Sequence, residues 1–181
     1  MSNDRSIWFV RHTQSKYNEK KLFTGWDNPG LTEKGIQQAY ELKDKLKEIK
    51  FNKMFCSPLE RAMQTMRIIT QDNFIVDDRL KERDYGHWAG KSKTEIRESV
   101  GEDLFFSARR GWDTPPPNGE CLHDVMKRVK SFLEELPKKG QILVVSHGNT
   151  IRAISVYFGI NTTKDVSAYE IKVGTHLLIE K

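Results

Sequence analysis

Residues 9–18 read FVRHTQSKYN, and residues 142–150 read ILVVSHGNT. Each opens as a short apolar run rich in β-branched or aromatic residues, which is strand composition, and each breaks off at a histidine followed by hydroxyl and amide side chains. One explanation should cover both. Residues 7–10, 53–56, 74–76, 142–145 and 177–179 read as strands, and helical patterns lie between them. Ile36, Ala39, Leu42, Leu46 and Ile49 recur at spacings of three and four behind Thr32, a suitable N-cap. Leu122, Val125, Val129, Phe132 and Leu136 do the same until Pro137 and Gly140 end the helix. Further helices are expected after Pro58, Lys93 and Asn149, and residues 111–119, with three consecutive prolines, read as loop. Strands separated by helices predict an α/β layer fold with a largely parallel sheet, and such sheets carry their sites beyond the carboxyl ends of the strands. Both histidines stand at such ends.

The chain has 181 residues, the size of one domain with a substantial core, so residues 1–181 are read as a single globular unit. MSNDRSIWFVRH lacks the charged start and apolar stretch of a signal peptide, and no apolar run approaches a membrane span, so a cytoplasmic protein without membrane association is expected. Cys56 and Cys121 stand far apart without CxxC spacing and read as free thiols. The formal charge of +5 suits small anionic substrates as well as it suits nucleic acid.

Two histidines at strand ends are open to three readings: metal ligands, structural residues or a catalytic pair. Arg11 directly precedes His12, and a guanidinium there opposes a divalent cation but favours an anion. No carboxylate stands at a metal-ligand spacing from either histidine, so no metal is expected. An imidazole beside a bidentate donor suits phosphoryl transfer: nitrogen attacks phosphorus while arginine holds the non-bridging oxygens. Arg61, behind another strand, is a second candidate clamp, although alone it reads equally as a solvated helix arginine. Gly148 and Asn149 open a helix whose free N–H groups favour an anion. Glu82, in the polar loop LKERDYG, is the candidate proton donor; arginines favour its carboxylate, whereas a neighbouring phosphate dianion favours its protonated form.

In order along the chain, RHTQSKYN, FTGWDNPGLTEKG, SPLERAMQT, LKERDYG, RRGWDTPPPNGE and VVSHGNTIRA resemble the histidine phosphatase superfamily, and within it the cofactor-dependent phosphoglycerate mutases. The resemblance covers nearly the whole chain. It implies a Rossmann-like three-layer α/β/α fold with a mostly parallel central sheet, and a metal-independent phosphohistidine mechanism. Carried onto matching positions, it makes His12 the nucleophile, Glu82 the acid and base, and Arg11, Arg61 and His147 the clamp on the transferred group, with Asn18 and Asn149 adding hydrogen bonds. The remainder of the substrate would be held by Ser15, Thr24, Gly25, Tyr85, Lys93, Arg109 and Arg110. The implied reaction is the glycolytic and gluconeogenic interconversion of 3-phosphoglycerate and 2-phosphoglycerate, primed by 2,3-bisphosphoglycerate, in a homodimer or homotetramer.

Two departures leave room for a phosphatase of small phosphorylated metabolites. Thr13 stands where the mutases usually have glycine, which suggests a β-branched side chain crowding the nucleophile. The sequence also runs only to Lys181, just past the last strand, where relatives often carry a closing tail, so more hydrolysis is expected. A nucleic-acid-binding module would need a continuous basic face and has no use for Glu82. His87, His123 and His176 read as surface or structural residues, Met63 and Met66 as core, Trp8 as packing, and Trp26 and Trp88 as aromatic residues near the rim.

Overall fold

The computed structural model describes residues 4–180. Met1 to Asn3, read above for a leader, and Lys181 lie outside the described residues. Five strands form one sheet in the order β3-β2-β4-β1-β5, with β1 Arg5–Arg11, β2 Lys53–Cys56, β3 Ile75–Val76, β4 Gly140–Ser146 and β5 His176–Glu180. All pairs are parallel except β1 with β5, which is antiparallel. The expected α/β fold is therefore present, with a largely parallel sheet.

The alternation of side chains along the central strands assigns the two layers of helices. Ile7, Phe9, Ile142 and Val144 face α6 (Leu122–Glu135) and α7 (Gly148–Tyr157), where Leu122, Val125, Val129 and Ile151 are fully buried. Val10, Leu143 and Val145 face the other way, onto α2 (Glu33–Leu46) and α3 (Glu60–Ile69), against Leu42, Ala62 and Met66. The helix N-cap expected at Thr32 is formed, its hydroxyl accepting from Gly35 N at 3.0 Å. Ile36 turns outward at 42% exposure, and Ile49 lies beyond the helix end, so the buried stripe of α2 is shorter than the periodicity suggests. Among the described residues no helix is long and apolar enough to cross a membrane.

Two elements were not expected. A single turn, α1 (Lys16–Glu19), follows the first histidine, closed by a capping box between Ser15 and Asn18. α4 (Lys93–Val100) is continued after Gly101 by α5 (Glu102–Arg110). These helices do not join either sheet-facing core. Phe23, Tyr85, Trp88, Ile96, Phe105 and Ala108 form a third, separate apolar cluster, a small cap above the carboxyl ends of the strands.

Candidate active site

Strand register brings the two histidines together. Arg11 pairs with Ser146 at the last position of the β1–β4 ladder, and His12 N donates to Ser146 O at 3.0 Å. The next residue on each strand is a histidine, and the two rings stand 5.0 Å apart between centroids. β2 ends one strand further along, and α3 carries Arg61 back beneath them.

Each group at this end is held by atoms that leave little freedom. His12 Nδ1 lies 2.7 Å from Thr13 O, a pure acceptor, so Nδ1 carries the proton. Nε2 accepts from Arg61 Nε at 3.3 Å, which requires the same tautomer. The nucleophile candidate is thus a neutral imidazole with its lone pair turned to a guanidinium. Burial, then the charges of Arg61 and Arg11, hold His12 well below the usual histidine range, which keeps it unprotonated. Arg61, 1% exposed, donates to Asp27 O at 3.0 Å and Gly25 O at 2.9 Å. Burial pushes it down to about 10, still charged at neutral pH.

The loop contacts explain two glycines. Gly25 has φ +52°, and a β-carbon there would lie 2.9 Å from Tyr85 N. At Gly148 a β-carbon would approach Arg11 Cζ to 3.2 Å, so glycine lets the arginine lie across the start of α7.

Glu82 is 7% exposed, and its Oε1 accepts from Arg83 N at 2.8 Å and Asn149 N at 3.1 Å. Oε2 takes no hydrogen bond from the described residues. Its carbonyl is fixed by Trp26 Nε1 at 2.7 Å and Arg128 Nη2 at 2.9 Å. A carboxylate held by one oxygen and free at the other is arranged to exchange a proton.

Of the residues expected from sequence, Arg11, His12, Asn18, Thr24, Gly25 and Arg61 line one pocket. Glu82, Tyr85, Lys93, Arg109, Arg110, Gly148 and Asn149 line it as well. Ser15 and His147 do not. Ser15 is fully buried as the cap of α1, and so orients Asn18. His147 is fully buried behind the lining, its Nε2 2.7 Å from Ser57 Oγ and its Nδ1 without a partner among the described residues. Burial first, then Arg61 and His12, hold it well below the usual histidine range.

The expectation for Thr13 is corrected. Its side chain turns away from the pocket, to Thr65 Oγ1 at 3.3 Å, and its methyl faces Gly174. It does not crowd the nucleophile. Trp26 is 44% exposed and meets the rim expectation through Glu82 O, whereas Trp88 is buried in the cap cluster.

Sequence reasoning missed Arg152 and Glu170, both in the lining. Arg152 stands three residues after Asn149 on α7 and donates to Asn149 Oδ1 at 2.9 Å, a helical spacing that could have found it. Glu170 comes from a loop without any motif. Arg83, fully buried, was also passed over; its guanidinium turns from the pocket to Ala108 O, Thr114 O and Glu120 O, tying α5 to the loop below it. Among the described residues no group of three or more histidine, cysteine, aspartate or glutamate side chains is placed to hold a metal ion.

The model of the histidine phosphatase superfamily (branch 1) matches residues 7–175. The chain belongs to the histidine phosphatase superfamily. Its sequence is 38% identical to a 2,3-bisphosphoglycerate-dependent phosphoglycerate mutase of Parvibaculum lavamentivorans, over 94% of this chain and 88% of that one. It is 34% identical to the mutase of the same description from Bartonella henselae, over 94% and 89%. Among solved structures, a mycobacterial glucosyl-3-phosphoglycerate phosphatase superposes with a TM-score of 0.89 at 23% identity, covering 98% of this chain and 90% of the other. An α-ribazole phosphatase from Shigella flexneri gives 0.84 at 25%, covering 96% and 89%. At these identities the superpositions speak for the histidine phosphatase fold, and the superfamily makes the protein an enzyme of the mutase or phosphatase type.

Proposed function

We propose that the protein is a 2,3-bisphosphoglycerate-dependent phosphoglycerate mutase, which interconverts 3-phosphoglycerate and 2-phosphoglycerate through a phosphohistidine at His12 in glycolysis and gluconeogenesis. The observation that carries this reading is a second set of cations in the pocket of His12, carried by the cap helices and not by the strand ends. Lys93, Arg109 and Arg110 come from the cap and share the lining with Arg11 and Arg61. A simple phosphomonoester needs one clamp; a three-carbon acid with phosphate at one end and carboxylate at the other needs two. The buried Arg11 Nε and Arg110 Nε have no partner among the described residues, so both ends have donors spare for an anion. This fits 2,3-bisphosphoglycerate, whose chemical contribution is to supply the first phosphoryl group.

On this reading the residues divide the work. His12 Nε2 forms a bond to phosphorus as the ester P–O bond breaks, and Glu82 Oε2 gives its proton to the departing alkoxide. Arg11 and Arg61 hold the three non-bridging oxygens as charge spreads over them, with Asn18 and the N–H groups at the start of α7 assisting. In the half-reaction that precedes it in the cycle, the free hydroxyl of the monophosphoglycerate attacks the phosphorus carried by His12, its proton passes to Glu82, and the N–P bond breaks, so that the bisphosphate is the species whose other phosphoryl group His12 then removes. The cap cations retain the carboxylate between the two halves.

The structural neighbours that are phosphatases favour a second reading, hydrolysis of small phosphate esters with water as the acceptor. One assay separates the two: conversion of 3-phosphoglycerate to 2-phosphoglycerate in the presence of a chelator, with and without 2,3-bisphosphoglycerate, with free phosphate followed in parallel. Isomerisation that survives chelation and rises with the bisphosphate is the expected result. Phosphate release without isomerisation would replace the mutase with the phosphatase.

A further inference from the structure

The pocket contains an acid that none of these steps uses. Glu170 lines it together with Arg11, Arg109 and Arg110. Its backbone is fixed on both sides by arginines of the same site: Tyr169 O accepts from Arg152 Nε at 2.5 Å, and Ile171 O from Arg11 Nη1 at 2.6 Å. The carboxylate between these two carbonyls is 58% exposed at the mouth. Its partner is Arg110, with Nη2 3.8 Å from Oε1.

Arg110 is the least satisfied arginine of the pocket for which any partner is found. Nη1 reaches Ser167 O at 3.5 Å, and Nε is buried without an acceptor among the described residues. Ordinary N–H···O bonds run from about 2.7 to 3.2 Å, so none of these contacts is a good one. Arg61, by contrast, holds two carbonyl oxygens at 2.9 and 3.0 Å. A planar guanidinium with a loose carboxylate beside it and free donors is arranged to receive a better-placed carboxylate.

We propose that Glu170 is a specificity-determining residue, a tethered counter-ion that occupies Arg110 until the carboxylate of the substrate displaces it. The inference rests on the reading that the substrate carries a carboxylate besides its phosphate. A ligand with a second anion exchanges one carboxylate for another on Arg110, and its net gain there is reduced by what Glu170 gives up. A ligand with only a phosphate leaves Glu170 in position. The field of Glu170 also reaches Arg11 and Arg109, so it acts to some extent on every anion; the exchange acts on carboxylates alone.

The test is calorimetric binding of 3-phosphoglycerate and of glycerol 3-phosphate, which lacks the carboxylate, to the wild type and to Glu170→Gln, at low and high salt, with isomerisation assayed on the same samples. Glu170 is exposed and its pair is loose, so the expected tightening of 3-phosphoglycerate is roughly two- to five-fold, exceeding that of glycerol 3-phosphate and shrinking with salt. Equal tightening of both ligands, no change, or weaker binding would overturn the exchange, and so would a wild type that does not bind 3-phosphoglycerate. Isomerisation with unchanged binding in the variant would sink the role of Glu170 and keep the mutase. Selective tightening without isomerisation would do the reverse.

Discussion

The two ends of the pocket are built differently. At the strand ends, His12, Arg61 and His147 are almost fully buried, and each has a ring or guanidinium nitrogen within 2.7 to 3.0 Å of a carbonyl or hydroxyl oxygen. At the cap, Lys93 and Arg109 make no side-chain hydrogen bond with the described residues; they lie over Phe23 and Phe105 at 5.8 and 5.6 Å. The first set stands on the sheet and both large cores, the second on a small apolar cluster of its own. A transferred phosphoryl group requires fixed geometry, because charge must be met where it develops. A substrate that must change its attachment between two half-reactions requires holders that can adjust. On the proposed function, the difference gives chemistry to the sheet and selection to the cap.

The largest effect should come from the rigid end. His12→Ala is expected to lower turnover by roughly 10³-fold or more and to abolish acid-labile labelling of the protein by a phosphorylated donor. Labelling that persists would move the nucleophile elsewhere and undo the division. Glu82→Gln keeps the hydrogen bonds to Oε1 but removes the exchangeable proton, and should lower kcat by about 10²-fold or more while His12 is still labelled. A variant with unchanged kcat would assign the proton to another group.

A smaller effect is expected at the cap, read through pH. Burial first, then Arg109 and Arg11, push Lys93 down to about 8. The ammonium is present below that value and is lost as pH rises through it, so affinity for an anion should fall on the alkaline side. In the wild type kcat/KM for 3-phosphoglycerate should drop about tenfold between pH 7 and pH 9.5, whereas Lys93→Arg, which retains its charge, should flatten that limb. An alkaline limb that survives in Lys93→Arg would belong to another group.

How much could be read from sequence follows the same division. The strand ends were legible because β4 and β1 are buried on both faces, so their apolar runs are continuous and the first polar residue marks where the site begins. His12 and His147 were read that way, Arg61 from the helix behind β2 and Glu82 from its polar loop, and the ordered motifs supplied the cap cations. α5 was not legible: its buried face consists of Phe105 and Ala108 alone, and Leu104 and Phe106 point outward, which blurs the helical stripe. Glu170 was not legible either, because only the tertiary hydrogen bonds of Arg11 and Arg152 to its neighbours carry that loop to the pocket. Thr13 was misread because a β-branched side chain in place of the usual glycine was taken to crowd the adjacent nucleophile, whereas its hydroxyl and methyl turn to Thr65 and Gly174.

Thr13 gives the smallest expected effect and the sharpest test of the boundary between chemistry and support. Thr65 Oγ1 donates to Arg61 O at 2.8 Å and accepts from Thr13 N at 3.2 Å. Its single proton is thereby used, so the Thr13 hydroxyl, 3.3 Å away, must donate to it. Thr13→Val keeps the shape and removes that donor, and should lower unfolding stability by about 1 kcal/mol in chemical denaturation. Thr13→Gly adds backbone freedom and the loss of the methyl against Gly174, and should lower it further. Neither change alters the wall of the pocket, so the ratio of phosphate release to isomerisation should stay that of the wild type. A ratio that shifts with Thr13→Gly but not with Thr13→Val would mean that packing behind the nucleophile controls which acceptor attacks phosphorus, and selection would then belong to the sheet as well as to the cap.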